Sequence, residues 1–236
     1  MFMKNNSIKE ILRTVSAFFF PERCPYCAAL IEPDDISCPK CNRSVLGQAV
    51  TIRRGVIGSR CVAPFSYEGR VRKAIVNFKF YDMPQYARPL AAVLAKTVKE
   101  EYPVDEIDLI TYVPLHKKDL IKREYNQSQL LANELSDIFS IPCEETLIKT
   151  KYTKKQHKLN FSERKKNLSG AFSLVDKEQI KGKTVLLIDD VMTSGNTLAL
   201  CVKKLYSAKP LQVYCAVVAC AAEHERTERK QPQKEE

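Results

Sequence analysis

Apolar residues follow two alternating spacings from residue 62 onward. Four short apolar or β-branched runs predict buried strands: 62–67, 109–113, 183–188 and 211–219. The stretches beside them carry apolar residues at helical spacing and predict helices: 69–80, 86–100, 118–138 and 196–207. In the longest helix we expect four residues to face inward: Leu130, Leu131, Leu135 and Ile138. Strands that alternate with helices predict an α/β fold with a Rossmann-like parallel sheet covered on both faces.

The first 20 residues form a separate pattern. Apolar residues at 7–19 recur every three to four positions and predict an amphipathic helix that ends before Pro21. Lys9, Glu10 and Arg13 interrupt this apolar run, so we expect neither a signal peptide nor an integral membrane segment. The pattern predicts a cytoplasmic protein whose first helix packs on its own chain, with the inner face of the membrane or a partner as the alternative surface.

Four of the nine cysteines lie in residues 21–58, a segment without a long apolar run. They form two C-P-x-C pairs: Cys24, Cys27, Cys38 and Cys41. Each pair presents two thiolates from one turn, as a tetrahedral zinc site requires, and the metal replaces the missing core. Two disulfides or an iron–sulfur cluster would use the same residues. The expected reducing compartment and the symmetric spacing favour a closed, structural zinc site.

The remaining cysteines lie in or beside apolar runs. Their positions predict that most are buried packing residues: Cys61, Cys143, Cys201, Cys215 and Cys220.

The most informative stretch follows the strand at 183–188. Two consecutive carboxylates, Asp189 and Asp190, precede a turn of mostly small residues and then a helix. The turn and helix start comprise Val191, Met192, Thr193, Ser194, Gly195, Asn196 and Thr197. Their hydroxyl groups and unpaired N–H groups would bind a monophosphate. The carboxylates would accept hydrogen bonds from hydroxyls or hold a metal ion, so a ribose 5-phosphate suits both halves; the acidic strand end of a flavodoxin-like or receiver domain is the alternative.

A net charge of +10 favours an anionic partner. Nucleic acid, a polyphosphate substrate and an anionic membrane surface all satisfy this charge. Much of it lies in the segment 149–170, where the basic side chains would close over a ligand or follow a nucleic-acid backbone, with Tyr152 and Phe161 stacking on bases. A solvated loop without a ligand is the alternative. The charged, proline-containing tail at 224–236 predicts disorder.

The stretch 185–198 resembles the phosphoribosyl pyrophosphate (PRPP) signature of type I phosphoribosyltransferases. Together with the cysteine pairs, three further stretches resemble the competence protein F (ComF) family: 66–80, 113–128 and 156–172. This resemblance covers most of residues 18–220. It implies a small zinc-ribbon-like module at 21–58, followed by a type I phosphoribosyltransferase domain at 59–223 in which 149–170 is a mobile hood.

The same resemblance implies roles for individual residues. Asp189 and Asp190 would be catalytic, and the turn after them would bind PRPP. The pyrophosphate loop and hood would contribute Pro114, Leu115, His116, Lys118, Arg123 and Lys155. His116 could instead be a helix cap, and Lys118 and Arg123 could be ordinary solvated charges.

Two departures from the family pattern add negative charge beside the expected pyrophosphate site. Asp119 stands where the family usually has arginine, and Glu124 stands where it usually has glycine. Both would weaken the binding of pyrophosphate.

The implied function is the binding of PRPP with Mg²⁺ in DNA uptake and natural transformation. In a catalytic reaction, pyrophosphate would be displaced from C1 through an oxocarbenium-like transition state, and the sequence does not indicate the acceptor. The alternative is a non-catalytic protein that binds single-stranded DNA or a DNA-uptake helicase with the same fold.

Overall fold

The structure is a computed structural model that describes residues 22–32, 35–152 and 170–222. Three predictions fall outside these ranges: the helix at 7–19, most of the basic segment with Lys155 and Phe161, and the tail at 224–236. Within the described ranges, no helix combines the length and the apolar character needed to cross a bilayer.

A mixed sheet with the strand order β1-β2-β8-β7-β4 forms the centre, and β3 pairs with β8 beside β2. A separate two-stranded sheet consists of β5 and β6. The strands of the two sheets are β1 (Ile52–Val56), β2 (Ser59–Ala63), β3 (Phe65–Ser66), β4 (Leu109–Tyr112), β5 (Leu147–Lys149), β6 (Phe172–Leu174), β7 (Thr184–Met192) and β8 (Gln212–Cys220). In the central sheet, the strands other than β1 all run parallel to one another, and only the β1–β2 pairing is antiparallel. The predicted parallel α/β sheet is confirmed.

Six α-helices and three short 3-10 turns connect the strands in the described residues. The helices are α1 (Pro39–Ser44), α2 (Gly69–Phe80), α3 (Ala87–Glu101), α4 (Lys117–Arg123), α5 (Gln127–Phe139) and α6 (Asn196–Tyr206). The 3-10 turns are Leu46–Gln48, Pro84–Tyr86 and Val104–Glu106.

Alternate residues of β7 face two separate apolar layers. Leu186 and Ile188 pack in one cluster with the apolar faces of α2, α3 and α5. Val185 and Leu187 pack in the other with the apolar face of α6. Because successive strand residues point to opposite faces, an uninterrupted apolar run is what a strand covered on both sides requires. Burial of each such side chain stabilises the fold by about 1.5–3 kcal/mol.

The single helix predicted at 118–138 is wrong, because the structure has two helices there. The first, α4, ends at Glu124, whose φ of +66° is left-handed. Glycine favours this conformation and other residues disfavour it, which gives a backbone reason for the family's glycine at this position. Asn126 then caps α5 by accepting a hydrogen bond from the amide of Ser128.

The expected inward orientation of α5 holds in part. Leu131 and Leu135 are fully buried and Leu130 is half-buried. Ile138 was predicted to face inward but is 42% exposed. In this last helical turn Phe139 packs against the core instead.

Two strand pairs were not predicted. The β1–β2 hairpin turns at 57–58, so the boundary expected at residue 58 falls inside it, and residues 52–56 pair with the sheet. The β5–β6 pair brings together the chain where the basic segment begins and the chain immediately after it. The division into module and domain stays a prediction.

Candidate functional site

A cleft of about 800 Å³ opens where β4 and β7 end. Ligands of open α/β sheets bind at the carboxyl ends of parallel strands. The residues that line the cleft come from α2, α4, α5, α6, from β5, β6 and β7, and from loops beside them. They are Tyr67, Lys79, Phe80, Asp82, Val113, Pro114, Leu115, Asp119, Lys122, Arg123, Glu124, Gln127, Ser128, Lys149, Tyr152, Phe172, Asp189, Asp190, Val191, Thr193 and Thr197.

The aspartate pair is held by two neighbouring helices. From α5, Ser128 Oγ donates a hydrogen bond of 2.7 Å to Asp189 Oδ1, and the amide of Asp190 donates one of 2.9 Å to the same oxygen. From α2, Lys79 Nζ lies 2.8 Å from Asp190 Oδ1. The side chain of Asp190 is 8% exposed and that of Lys79 is 20% exposed, so this ion pair lies largely away from solvent.

Asp189 titrates differently from an isolated carboxyl group. Burial and the charge of Asp190 raise the pKa of Asp189 to about 7, although Lys79 and the Ser128 hydrogen bond act in the opposite direction. Burial alone would lower the pKa of Lys79, but the charge and hydrogen bond of Asp190 outweigh it and raise that pKa. The cleft therefore holds an ammonium group beside a carboxylate, and a second carboxyl group whose charge changes near neutral pH.

The predicted phosphate turn lies beside these carboxylates. Val191, Thr193 and Thr197 line the cleft. Gly195 has a φ of +72° and stands immediately before α6, whose first N–H groups have no partner within the helix. Of the predicted turn residues, Ser194, Gly195 and Asn196 do not line the cleft. Met192 is the last residue of β7, is 7% exposed and packs beneath Gly195.

The residues predicted to bind pyrophosphate divide into two groups. Pro114, Leu115 and Arg123 line the cleft. His116 and Lys118 do not: the His116 side chain accepts a hydrogen bond from the Lys118 amide and so caps α4, the alternative that the sequence left open.

The rim of the cleft carries paired cations and aromatic rings. The guanidinium of Arg123 lies 4.8 Å from the ring centre of Phe80. The ammonium of Lys118 lies 5.4 Å from the ring centre of Tyr152.

Several polar residues of the cleft are not among the predicted site residues, including Lys79, Ser128 and Lys149. Lys79 and Ser128 lie within the stretches 66–80 and 113–128 that resemble the family, and Lys149 begins the basic segment. Their roles depend on which helix faces which strand end. The sequence alone carries no signal for that contact.

The aspartate pair already contacts protein groups, which disfavours direct coordination of Mg²⁺. One oxygen of Asp189 already accepts two hydrogen bonds, and Asp190 is paired with an ammonium group. Mg²⁺ requires an octahedral shell of oxygen ligands at about 2.1 Å. Magnesium that accompanies PRPP would therefore be held by the oxygens of the ligand.

The four cysteines of the two C-P-x-C pairs form one cluster. Their Sγ atoms all lie within 4.8 Å of one another, and Cys27 Sγ and Cys38 Sγ are 3.5 Å apart. A tetrahedral zinc ion with Zn–S bonds of about 2.3 Å needs sulfur atoms separated by about 3.8 Å. The cluster can therefore hold a metal ion such as zinc.

The second cysteine pair begins a helix. Cys38 caps α1, and the amide of Cys41 donates to Cys38 Sγ over 3.4 Å. This hydrogen bond lowers the pKa of Cys38 to about 7, which favours the thiolate that metals bind. From α2, Arg70 Nη1 lies 3.7 Å from Cys41 Sγ and 3.2 Å from Ser44 Oγ.

The cysteines outside the cluster are in the expected places. Four are fully or almost fully buried and Cys143 is half-buried: Cys61, Cys201, Cys215 and Cys220 form the buried set. The prediction that most of these residues pack in the core is confirmed.

Comparison with known proteins identifies the family. The chain is 32% identical over 180 residues to the competence protein F of Haemophilus influenzae, which covers 74% of each chain. The chain belongs to the competence protein F family.

Other comparisons agree with this membership. The DNA utilization protein YhgH of Escherichia coli is 28% identical over 202 residues, covering 81% of this chain and 88% of that protein. The competence protein ComFC of Bacillus subtilis is 26% identical over 170 residues, or 68% of each chain. The family model described as a phosphoribosyl transferase domain matches residues 126–235. With the parallel sheet, this match confirms that the ComF-family chain has a phosphoribosyltransferase-type fold.

Proposed function

We propose that this chain binds PRPP or a related phosphoribosyl ligand in the cleft at the end of β7. The observation that carries the proposal is the arrangement of Asp189 and Asp190 beside Thr193 and Thr197 in one cleft. A sugar phosphate needs hydrogen-bond acceptors for its hydroxyl groups and donors for its phosphate. The two halves of this cleft offer these two kinds of group.

In the proposed complex the 5′-phosphate lies in the turn before α6. It accepts hydrogen bonds from the first amides of the helix and from the hydroxyls of Thr193 and Thr197, and the helix dipole stabilises its charge. The ribose 2′- and 3′-hydroxyls donate to Asp189 and Asp190. Pyrophosphate and its Mg²⁺ lie toward Arg123.

The same residues suit a transfer reaction at C1 of the ribose. The carboxylates hold the ring and stabilise the positive charge that develops as the C1–O bond to pyrophosphate breaks. Fixing the ribose and the phosphate in one geometry supplies part of the rate gain. The acceptor is left unassigned, since none of the described residues identifies it.

We further propose that the protein acts in DNA uptake. Two of the relatives carry the name competence protein, and another is named a DNA utilization protein. The cysteine cluster, in this proposal, holds a structural zinc ion.

A second candidate function is the binding of single-stranded DNA by the same face of the molecule. It is favoured by the rim of the cleft, where Lys118 lies over the ring of Tyr152 and Arg123 over the ring of Phe80. Cations and aromatic rings together bind single strands through phosphates and bases. A DNA-uptake helicase would be a second partner.

Calorimetry with PRPP and Mg²⁺ tests the first proposal. The test variant carries Asp189→Ala with Asp190→Ala. The control variant carries Asp105→Ala with Glu106→Ala, two exposed acids before β4, at the opposite end of the sheet. Both variants lose two carboxyl groups, so the control reports any general effect of removing acidic side chains.

We expect the control to bind PRPP like the wild type and the test variant to bind at least about tenfold more weakly, because charged hydrogen bonds contribute about 1.5–3 kcal/mol each. Equal binding by all three proteins would remove the carboxylates from the proposal. Released pyrophosphate, measured with candidate nucleobases, reports whether transfer follows binding.

A further inference from the structure

Lys79 is placed rigidly at the aspartate pair. It belongs to the last turn of α2, where the backbone carbonyl of Lys79 accepts a hydrogen bond of 3.5 Å from Gln127 Nε2. The carbonyl of the preceding residue, Phe78, accepts one from the hydroxyl of Tyr125. The end of α2 is thus fixed to the start of α5, and the Lys79 side chain extends from that point to Asp190.

No other lysine or arginine of the described chain forms an ion pair with either aspartate. The hydrogen bonds to Asp189 come from the Ser128 hydroxyl and the Asp190 amide, and both end on Oδ1. The aspartate pair is therefore accompanied by one cation, Lys79. Among the described groups, Asp189 Oδ2 has no hydrogen-bond donor and can accept a hydrogen bond from a ligand.

A ribose diol makes two demands on its site. Each hydroxyl donates one hydrogen bond, and each hydroxyl oxygen accepts one. Ionised carboxylates satisfy only the first demand, because they have no proton to give. A cation beside them satisfies the second, and an ammonium group with three N–H bonds can donate to Asp190 and still donate to a hydroxyl oxygen.

We propose that the ammonium of Lys79 is the cation of the ribose subsite, so that a ribose 5-phosphate binds here without a divalent metal ion. This inference rests on the proposed function, since it concerns the same cleft. It names Lys79 as a ligand-binding residue and the 2′,3′-diol as the group that it selects. A divalent ion on the carboxylates would meet the charge of Lys79 at close range, because the ammonium is only 2.8 Å from Asp190 Oδ1.

Titration calorimetry with ribose 5-phosphate, in EDTA and in excess Mg²⁺, tests the inference. The test variant is Lys79→Met, which keeps much of the side-chain volume and removes the charge. The control is Lys73→Met, which removes an exposed lysine from the same helix. A parallel titration with 2-deoxyribose 5-phosphate reports the contribution of the 2′-hydroxyl.

We expect the wild type and Lys73→Met to bind ribose 5-phosphate with affinities that Mg²⁺ changes by less than about twofold. In EDTA, Lys79→Met should bind about tenfold more weakly, the loss expected for one charged hydrogen bond. The preference for ribose over 2-deoxyribose should also narrow in Lys79→Met. A purely structural ion pair would not change this preference.

Two results would overturn the inference while leaving the proposed function intact. One is wild-type binding that requires Mg²⁺, and the other is binding in EDTA that Lys79→Met leaves unchanged. Absence of binding by the wild type to either ribose 5-phosphate or PRPP would overturn both.

Loss of the lysine leaves Asp190 unpaired in a site that is largely shielded, so Lys79→Met could unfold. The double variant Lys79→Met with Asp190→Asn removes both charges and avoids this defect. If the inference holds, this variant folds with a melting temperature near that of the wild type and binds ribose 5-phosphate weakly with or without Mg²⁺. Wild-type affinity in the folded double variant would refute the role of Lys79.

Discussion

Asp189 and Asp190 are neighbours in sequence and lie in different surroundings. Asp190 is paired with Lys79, and Asp189 accepts hydrogen bonds from uncharged groups. The Lys79 ammonium contacts Asp190 directly and acts on Asp189 only through space. This difference explains why burial dominates at Asp189 and raises its pKa.

The raised pKa predicts a pH dependence of stability. An unfolded aspartate titrates near 3.8, and Asp189 in the fold titrates near 7. Between these values the folded state holds a proton that the unfolded state has released. The stabilising contribution of this proton is complete below the unfolded pKa and is lost as the pH rises through the folded pKa.

We expect the free energy of unfolding of the wild type, relative to Asp189→Asn, to fall by about 2 kcal/mol from pH 5 to pH 8. The chain has no tryptophan, so urea unfolding followed by circular dichroism is the suitable measurement. Asp105→Asn, at an exposed position, is the control and should follow the wild type at every pH. Parallel curves for the wild type and Asp189→Asn would contradict the raised pKa.

At the scale of single residues, the aspartates and threonines of the site were predictable from the sequence, but the ion pair between Lys79 and Asp190 was not. The aspartates and the threonines after them are contiguous, and a strand followed by a helix can place them together in only a few ways. Lys79 is 110 residues away from Asp189 in the chain. Its contact depends on how α2 packs on the sheet, which local patterns do not specify.

Among the elements, α1 depends most on something other than its own sequence. It has six residues, too few to form a stable helix alone. Its buried residue is Cys41, which joins the main apolar cluster together with Cys24 and Tyr26. A metal ion held by these thiols would thus anchor a segment that could not form a core alone.

Metal removal should therefore unfold this segment and destabilise the contacts around it. If the loss is about 3 kcal/mol, the melting temperature should fall by about 6–12 °C for a chain of this size. Metal analysis should give one zinc per chain, lost in Cys24→Ser and retained in the control Cys143→Ser. A Cys24→Ser protein that kept both its zinc and its melting temperature would rule out a metal-stabilised segment.

Elements with a strong apolar period were predictable and those with special backbone angles were not. The strands β7 and β8 and the helices α2, α3 and α6 lie within a few residues of their predicted positions. The break between α4 and α5 was missed because Glu124 adopts a left-handed angle that its residue type disfavours. The β1–β2 hairpin was missed because its outer strand carries Arg53 and Arg54 and has no apolar run.

At the scale of the molecule, the net charge of +10 is distributed unevenly. Within the cleft, acidic and basic side chains occur in similar numbers. In the sequence, the lysines of the segment 149–170 contribute much of the net positive charge. At this scale the alternation of strands and helices was predictable from the apolar runs, whereas the β1–β2 hairpin, the β5–β6 pair and the break between α4 and α5 were not.

If this segment contacts single-stranded DNA, replacing three of its lysines should reduce the salt dependence of binding. We expect Lys154→Ala, Lys155→Ala and Lys158→Ala together to lower the slope of log affinity against log salt by about 2, since each phosphate contact contributes about 0.7. Fluorescence anisotropy with a labelled oligonucleotide measures this slope.

The matched control replaces three lysines near the start of β7, at the other end of the sheet: Lys177→Ala, Lys181→Ala and Lys183→Ala. It should leave the slope unchanged. A slope that falls equally in both triple variants would indicate a general charge effect and no localised contact.

The glycine before α6 has a meaning that is independent of any ligand. At a φ of +72°, a side chain at position 195 would be strained, and its first carbon would come within 2.7 Å of the methyl group of Met192. The left-handed backbone angle thus demands glycine whether or not an anion binds here. A homologue that no longer bound sugar phosphates would still need glycine at position 195. The presence of this glycine is therefore not evidence of sugar-phosphate binding. The pairing of Lys79 with Asp190 has no such backbone requirement and could be lost together with the binding function.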